Sequence, residues 1–186
     1  MCMKIMKISV RVSRALLFVW LGVSSAPAAA QAPNREAPPG VRNYTRVDAT
    51  VACAGAPSLE AMPELKRLGF AAVINFRLAS EPGADVEAEG ETARSAGLKY
   101  IHLPFEAASP EPAVVEAFLK AVVDPANQPV FIHCGSANRV GAMWLIKRVV
   151  VDGWDLEKAT AEAETIGLTS SALRQFALDY VKTRPK

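Results

Sequence analysis

Histidine and cysteine are scarce in this chain: two histidines and three cysteines in 186 residues, with no ligand-like spacing among them. Metal centres are built from clusters of such ligands, so no metal site is predicted, and no cofactor is expected. Long apolar stretches are missing beyond residue 23, which leaves nothing downstream with the roughly 20 apolar residues of a membrane-spanning helix. Repeats and heptads are missing as well, which argues against solenoids and coiled coils. There is little charge excess: 21 basic residues stand against 19 acidic ones. Four of the basic residues lie in the first fourteen, so without the first thirty residues the balance is 17 to 19, a net charge of −2. Neither nucleic acid nor an anionic membrane surface is an expected partner of such a chain.

The N-terminus has the composition of an address. Lys4, Lys7, Arg11 and Arg14 make a basic start, Ala15 to Val23 is apolar, and the segment ends in Ala28-Ala29-Ala30. That order is the pattern of a cleaved secretory signal peptide spanning residues 1–30. The mature protein is therefore expected to be exported from a bacterial cell, to the periplasm or beyond, without a membrane span. Residues 31–42, rich in Pro and Ala, read as a flexible lead-in. Residues 43–186 are long enough for one domain with a proper core and too short for two.

Within that domain one stretch stands out: Val130-Phe131-Ile132-His133-Cys134-Gly135-Ser136-Ala137-Asn138-Arg139-Val140-Gly141. An apolar, β-prone run delivers a cysteine into a loop of small residues, and an arginine precedes a long apolar helix expected from Val140 to Val151. Gly135, Ser136 and Ala137 let the backbone curl so that successive N–H groups converge, and the helix adds its positive end. Such a cradle binds a tetrahedral oxyanion and favours the Cys134 thiolate, while the Arg139 guanidinium supplies a planar two-point grip.

Periodicity places the other elements. A strand is predicted over Arg46 to Ala54, then a helix over Leu59 to Leu68 with Ser58 as N-cap and Gly69 as its stop. A buried strand follows over Phe70 to Phe76, a helix over Ala84 to Ser95, and a strand over Leu98 to Leu103. Pro112 opens a further helix with Val114, Val115, Phe118, Leu119 and Val122 on one face. Two amphipathic helices, Leu156 to Ile166 and Ser170 to Thr183, close the chain. Strands alternating with helices predict an α/β three-layer sandwich, a mainly parallel sheet of about four or five strands flanked by helices. Ligands of such sheets sit beyond the carboxyl ends of the strands. Four segments should therefore meet there: Gly55-Ala56-Pro57, Asn75-Phe76-Arg77, Pro104-Phe105-Glu106 and the Cys134 loop.

The His-Cys loop closed by Arg resembles the signature loop of cysteine-dependent phosphatases of the tyrosine and dual-specificity type. Only four residues separate Cys134 from Arg139 instead of five, and Val140 stands where a hydroxyl residue usually follows the arginine. The shorter spacing is similar to that of the phosphatase-like, beta-lactamase-hydrolase-associated family. The Gly-x-Pro, Asn-x-Arg and Pro-Phe-Glu strand ends resemble that family too. The resemblance implies a dual-specificity-phosphatase-like fold and a phosphorylated protein or small molecule as substrate. Cys134 would be the nucleophile, forming a phosphocysteine, and Arg139 and the loop amides of Gly135, Ser136, Ala137 and Asn138 would hold the phosphoryl oxygens. His133 is expected to orient the loop through a backbone hydrogen bond, Ser136 to donate within the loop, and Asn138 to hold its shape. Arg77 would contact a substrate anion or pair with Glu81.

The general acid is the least marked part. In the lipid-phosphatase branch an Asp follows Pro-Phe-Glu; here Ala107 does, so Glu106 is the expected acid, with Glu81, Asp85 and Glu111 in reserve. The absent hydroxyl at Val140 predicts slow breakdown of the intermediate. Two alternatives stay open: a rhodanese-like sulfurtransferase carrying a persulfide on Cys134, which the six-residue loop favours, and a phosphate-binding module without catalysis. Cys53 is either a buried core thiol or a partner for a reversible disulfide with Cys134. The oligomeric state and the substrate's identity are not legible.

Overall fold

The computed structural model describes residues 36–184; the expected leader and the start of the lead-in lie outside them. Five strands form one sheet in the order β1-β2-β5-β3-β4. They are β1 (Thr45–Arg46), β2 (Val51–Ala54), β3 (Ala72–Asn75), β4 (Lys99–His102) and β5 (Val130–His133). The helices are α1 (Ala61–Arg67), α2 (Val86–Ser95), α3 (Pro112–Val123), α4 (Asn138–Val150), α5 (Leu156–Ile166) and α6 (Ser171–Lys182). Only β1 runs antiparallel; β2, β5, β3 and β4 are parallel. This is the three-layer α/β architecture expected from the alternating pattern.

The alternation of side chains along β5 explains the layers. Ile132 packs with α3 to α6 in a large core that includes Phe118, Trp144, Met143, Ala159 and Leu173. Phe131 packs on the other face with Met62 and Leu65 of α1 and Ala93 of α2. Because β5 is central and buried on both faces, its residues are uniformly apolar up to His133. Helix α4 is the centre of the helical layer, buried without a break from Val140 to Ile146. Gly141 permits this: a Cβ there would lie 2.8 Å from the Ala163 carbonyl oxygen and 2.9 Å from the Leu168 Cβ.

Most elements lie within two residues of expectation at each end, and three differences bear on the fold. The strand predicted from Arg46 to Ala54 is split into a hairpin. Asp48 Oδ1 accepts from the Thr50 and Val51 amides at 2.7 and 3.0 Å, which turns the chain where a continuous strand was expected. Helix α1 starts at Ala61, two residues late, and its N-cap is Glu60, not Ser58; Ser58 contributes its carbonyl to the Ala61 amide instead. Helix α4 starts at Asn138 rather than Val140, so Arg139 belongs to its first turn. Among the described residues no helix is long and apolar enough to cross a membrane, and no His, Cys, Asp and Glu cluster is arranged to hold a metal ion.

Candidate active site

The sheet register sets Cys134. Both Ala54 and Asn75 pair with His133, so the cysteine emerges one residue beyond three parallel strand ends. Its amide reaches the Ala54 carbonyl at 3.4 Å, and the side chain is 1% exposed. The loop that follows is held from several directions. The Ala56 amide donates to the Gly135 carbonyl at 3.2 Å, and Asn43 Nδ2 donates to the Ser136 carbonyl at 3.2 Å. Ala137 adopts φ +71°, the left-handed conformation that costs an L-residue about 1–2 kcal/mol. It is packed against Gly167, where a Cβ would fall 3.0 Å from that of Ala137. Asn138 clamps the turn to the start of α6: its Oδ1 accepts from the Thr169 and Ser170 amides at 2.9 Å each, and its Nδ2 donates to Thr169 Oγ1 at 2.7 Å. Both ends of the Asn138 amide thus hold loop shape. Ser136 itself is exposed at the rim.

Arg139 converges with the other strand ends. Its Nη1 donates to the carbonyls of Phe76 and Phe105, both at 3.1 Å, and to Glu81 Oε1 at 2.5 Å, while Nη2 donates to Glu81 Oε2 at 2.9 Å. Burial by itself lowers the guanidinium's affinity for its proton, but Glu81 and the Cys134 sulfur outweigh it and hold the group above its usual range. Burial likewise opposes ionisation of Glu81. The bonds from Arg139, the Leu78 amide and Arg77 overcome that and bring the carboxyl down to about 2. A group so acidic carries no proton at neutral pH, which removes Glu81 from the reserve of general acids. Its place is to hold Arg139 in position. Arg77, buried, donates from Nε to Glu81 at 3.3 Å and from its terminal nitrogens to the carbonyls of Pro82 and Gly83 at 2.8 and 3.0 Å. All three contacts go to the 81–83 loop, the pairing alternative foreseen for this residue.

His133 departs from expectation. Its ring lies on the α1–α2 side of the sheet, near Phe131, and Nε2 is 2.8 Å from Glu89 Oε1 of α2 rather than on backbone. The same Oε1 accepts from Asn75 Nδ2 at 3.1 Å, and Asn75 Nδ2 also donates to the Tyr100 hydroxyl oxygen at 2.8 Å. The reason is topological: a side chain one residue before Cys134 must point to the opposite face, where α2 covers it.

On the solvent side, Ser80, Glu81, Glu106, Ser136, Arg139 and Ser170 line a shallow cleft of about 480 Å³. Glu106 is exposed there and accepts from the Ala108 amide at 3.1 Å. Asp85 is committed to capping α2 through the Ala88 amide at 2.9 Å. Ala56, Pro57 and Arg77 line a second cleft on the far side of Pro82, so the predicted convergence of four segments holds for the backbone while the open space is divided by the 81–83 loop. Val140 is buried at 1% exposure, with no hydroxyl to offer the sulfur.

Comparison with known proteins decides the family. The family model of the beta-lactamase hydrolase-like protein's phosphatase-like domain matches residues 43–151, more than half of the chain. The chain belongs to that family. A beta-lactamase hydrolase-like protein of Xylella fastidiosa (strain Temecula1) is 30% identical over 108 residues, which are 56% of this chain and 24% of that protein. The chain therefore spans about a quarter of the length of the curated relatives it matches. Among solved structures, TpbA of P. aeruginosa superposes with TM-score 0.62 at 24% identity, covering 84% of this chain and 92% of that one. The core catalytic domain of the PP-IP phosphatase SIW14 from S. cerevisiae gives TM-score 0.62 at 19% identity over 76% and 89%. These likenesses show a shared fold.

In this phosphatase-like domain two carboxylates were missed by the sequence or given another part. Glu81 read as a reserve acid or a partner for Arg77, and Glu89, inside the helix predicted over Ala84 to Ser95, was given no part. The one signal for Glu89 was spacing: it lies four residues before Ala93 and next to Gly90, the small residues that form the buried face of α2. Cys53 is a free, buried thiol, and burial pushes it well above its usual range, assisted by Glu162 and Asp48. It pairs in register with Ile132, two residues short of Cys134, and both thiols are free.

Proposed function

We propose that the domain is an exported cysteine-dependent phosphatase that hydrolyses phosphomonoesters through a phosphocysteine. The observation that carries the proposal is the posture of Arg139 beside Cys134. The carbonyls of Phe76 and Phe105 and Glu81 Oε1 engage Nη1, Glu81 Oε2 engages Nη2, and the Cys134 side chain is itself among the groups that hold the guanidinium above its usual range. An arginine fixed on one edge meets an incoming phosphoryl group with little reorganisation. The Cys134 thiolate attacks phosphorus, the P–O bond to the leaving group breaks, and Glu106 hands its proton to that oxygen. Water then gives a proton to the Glu106 carboxylate as it attacks the phosphocysteine, the S–P bond breaks, and inorganic phosphate leaves with the thiolate and the protonated Glu106 restored.

Several features support this reading. The family is phosphatase-like, TpbA has been crystallised with pTyr, and SIW14 is described as a PP-IP phosphatase. A phosphotyrosine-bearing protein or a small phosphomonoester is the substrate class proposed here. Export rests on the residues before the described domain, with their basic start, apolar run and Ala-Ala-Ala end. The six-residue span from Cys134 to Arg139 favours sulfur transfer as a second reading. A paired assay separates the two: hydrolysis of p-nitrophenyl phosphate beside sulfur transfer from thiosulfate to cyanide, for wild type and Cys134→Ser. Phosphate release that vanishes in the variant is expected. Sulfur transfer alone would replace the proposal, and silence in both assays would leave a binding module.

A further inference from the structure

Helices α5 and α6 lie beyond residue 151, outside the stretch that the family model matches, yet α6 reaches both halves of the site. Just before its first turn, the Thr169 and Ser170 amides donate to Asn138 at the end of the Cys134 loop. Along the helix Leu173, Phe176, Ala177 and Tyr180 share one face, at the i, i+3, i+4, i+7 spacing of a packed stripe. Leu173 lines the cleft together with Glu106 and Ala107. One turn on, the half-buried Phe176 ring lies 5.6 Å from the ring of Phe105 and 6.3 Å from that of Tyr180. Tyr180 in turn donates its hydroxyl to Glu116 of α3, which ties the helix to the rest of the domain.

Phe105 joins the anion grip to the acid loop. Its carbonyl accepts from Arg139 Nη1 at 3.1 Å, and Glu106 is the next residue. The Phe105 ring is fully buried and meets the Phe76 ring at 6.4 Å as well as that of Phe176. Phe76 is backed by Phe118 at 5.4 Å, so that contact is part of the core, whereas Phe176 is brought by α6. Among the described residues Glu106 bonds only to the Ala108 amide of its own loop, at 3.1 Å. Its direction is therefore set by the backbone that carries it, and Phe105 anchors that backbone. We propose that Phe176 is a positioning residue of the reaction: packed on Phe105, it aims the Glu106 carboxyl at the leaving-group oxygen. The inference rests on the phosphatase reading with Glu106 as general acid. A shorter side chain at 176 leaves space beside the Phe105 ring, the start of the acid loop shifts into it, and the proton is no longer delivered within hydrogen-bond reach.

The test compares two aryl esters for wild type and Phe176→Leu. Nitrophenolate leaves readily without a proton while phenolate needs one, so phenyl phosphate reports on the acid and p-nitrophenyl phosphate hardly does. The readout is kcat/KM, which ends at formation of the phosphocysteine and omits the slow second step. In Phe176→Leu, kcat/KM for phenyl phosphate is expected to fall roughly tenfold, and that for p-nitrophenyl phosphate by less than about twofold. Glu106→Gln should show the same selective loss, about 100-fold, and the double variant no more than Glu106→Gln alone. Equal losses on the two esters, no loss on either, or a further loss in the double variant overturns the inference and leaves Phe176 as packing. If Phe176→Leu does not fold, Phe176→Met, whose flexible side chain fills more of the space, carries the same comparison with the same outcomes. Failure of the phosphatase reading looks different: wild type then hydrolyses neither ester, and the inference falls with it. An active wild type in which Glu106→Gln keeps full activity on phenyl phosphate overturns the inference and leaves the phosphatase reading in place.

Discussion

At the scale of single residues the site is a set of charge contacts over long sequence separations, with Glu81 the most exacting of them. It grips Arg139 by both oxygens and also takes the Leu78 amide at 2.8 Å. Glu81→Gln weakens that grip while preserving shape, and kcat/KM for an aryl phosphate is expected to fall about 100-fold. Stability follows with a defined sign. The carboxyl is depressed from 4.5 to about 2 in the folded protein, so its contribution is fully present above about pH 4.5 and is lost as pH falls through about 2. The melting-temperature gap between wild type and Glu81→Gln should be open at pH 7 and close on acidification across that window. A gap independent of pH would mean that the ion pair is not what holds the loop. Cys134 and Arg139 were legible in the sequence because one contiguous loop carries both and its small residues announce the curl. The partners Glu81 and Glu89 were not, because the contacts that define them are 58 and 44 residues long and a solvated glutamate has the same local pattern.

At the scale of elements, α4 is the part on which the site depends. Its first turn carries Arg139, its residues from Val140 to Ile146 are buried, and α5 lies close against it through Gly141. A methyl group at Gly141 meets backbone, the Ala163 carbonyl and the Leu168 amide, which cannot yield as a flexible side chain does. Gly141→Ala is expected to cost about 1–3 kcal/mol in chemical denaturation and to lower activity by displacing the first turn. Unchanged stability would show that α5 moves away freely. The helices themselves were readable from periodicity: α5 was predicted at its observed bounds, α2 and α6 within two residues, and α3 at its first residue. The exceptions have local causes. Asp48 turned a strand into a hairpin by binding two amides, and α4 began two residues early because Ala137 takes a left-handed conformation expected of glycine. Neither side-chain turn chemistry nor a strained alanine shows in a hydrophobicity pattern.

For the whole molecule, the mainly parallel sheet gathers at one edge residues that the chain keeps far apart, and the order β2-β5-β3 puts the cysteine strand between the two strands whose ends support it. Alternating strands and helices made that architecture foreseeable. The face on which each side chain of β5 lands followed only from the sheet register, which is why His133 was expected on backbone and is found on Glu89. The central claim is that Cys134 carries the phosphoryl group. Val140 offers no hydroxyl to speed release of the sulfur, so the second step should lag the first and the intermediate should accumulate. The most direct measurement is mass spectrometry of protein quenched in acid during turnover of p-nitrophenyl phosphate. A phosphate adduct on the Cys134 peptide, present in wild type and missing in Cys134→Ser, is predicted. Release of inorganic phosphate with no adduct on Cys134, and at the same rate in the serine variant, would contradict it.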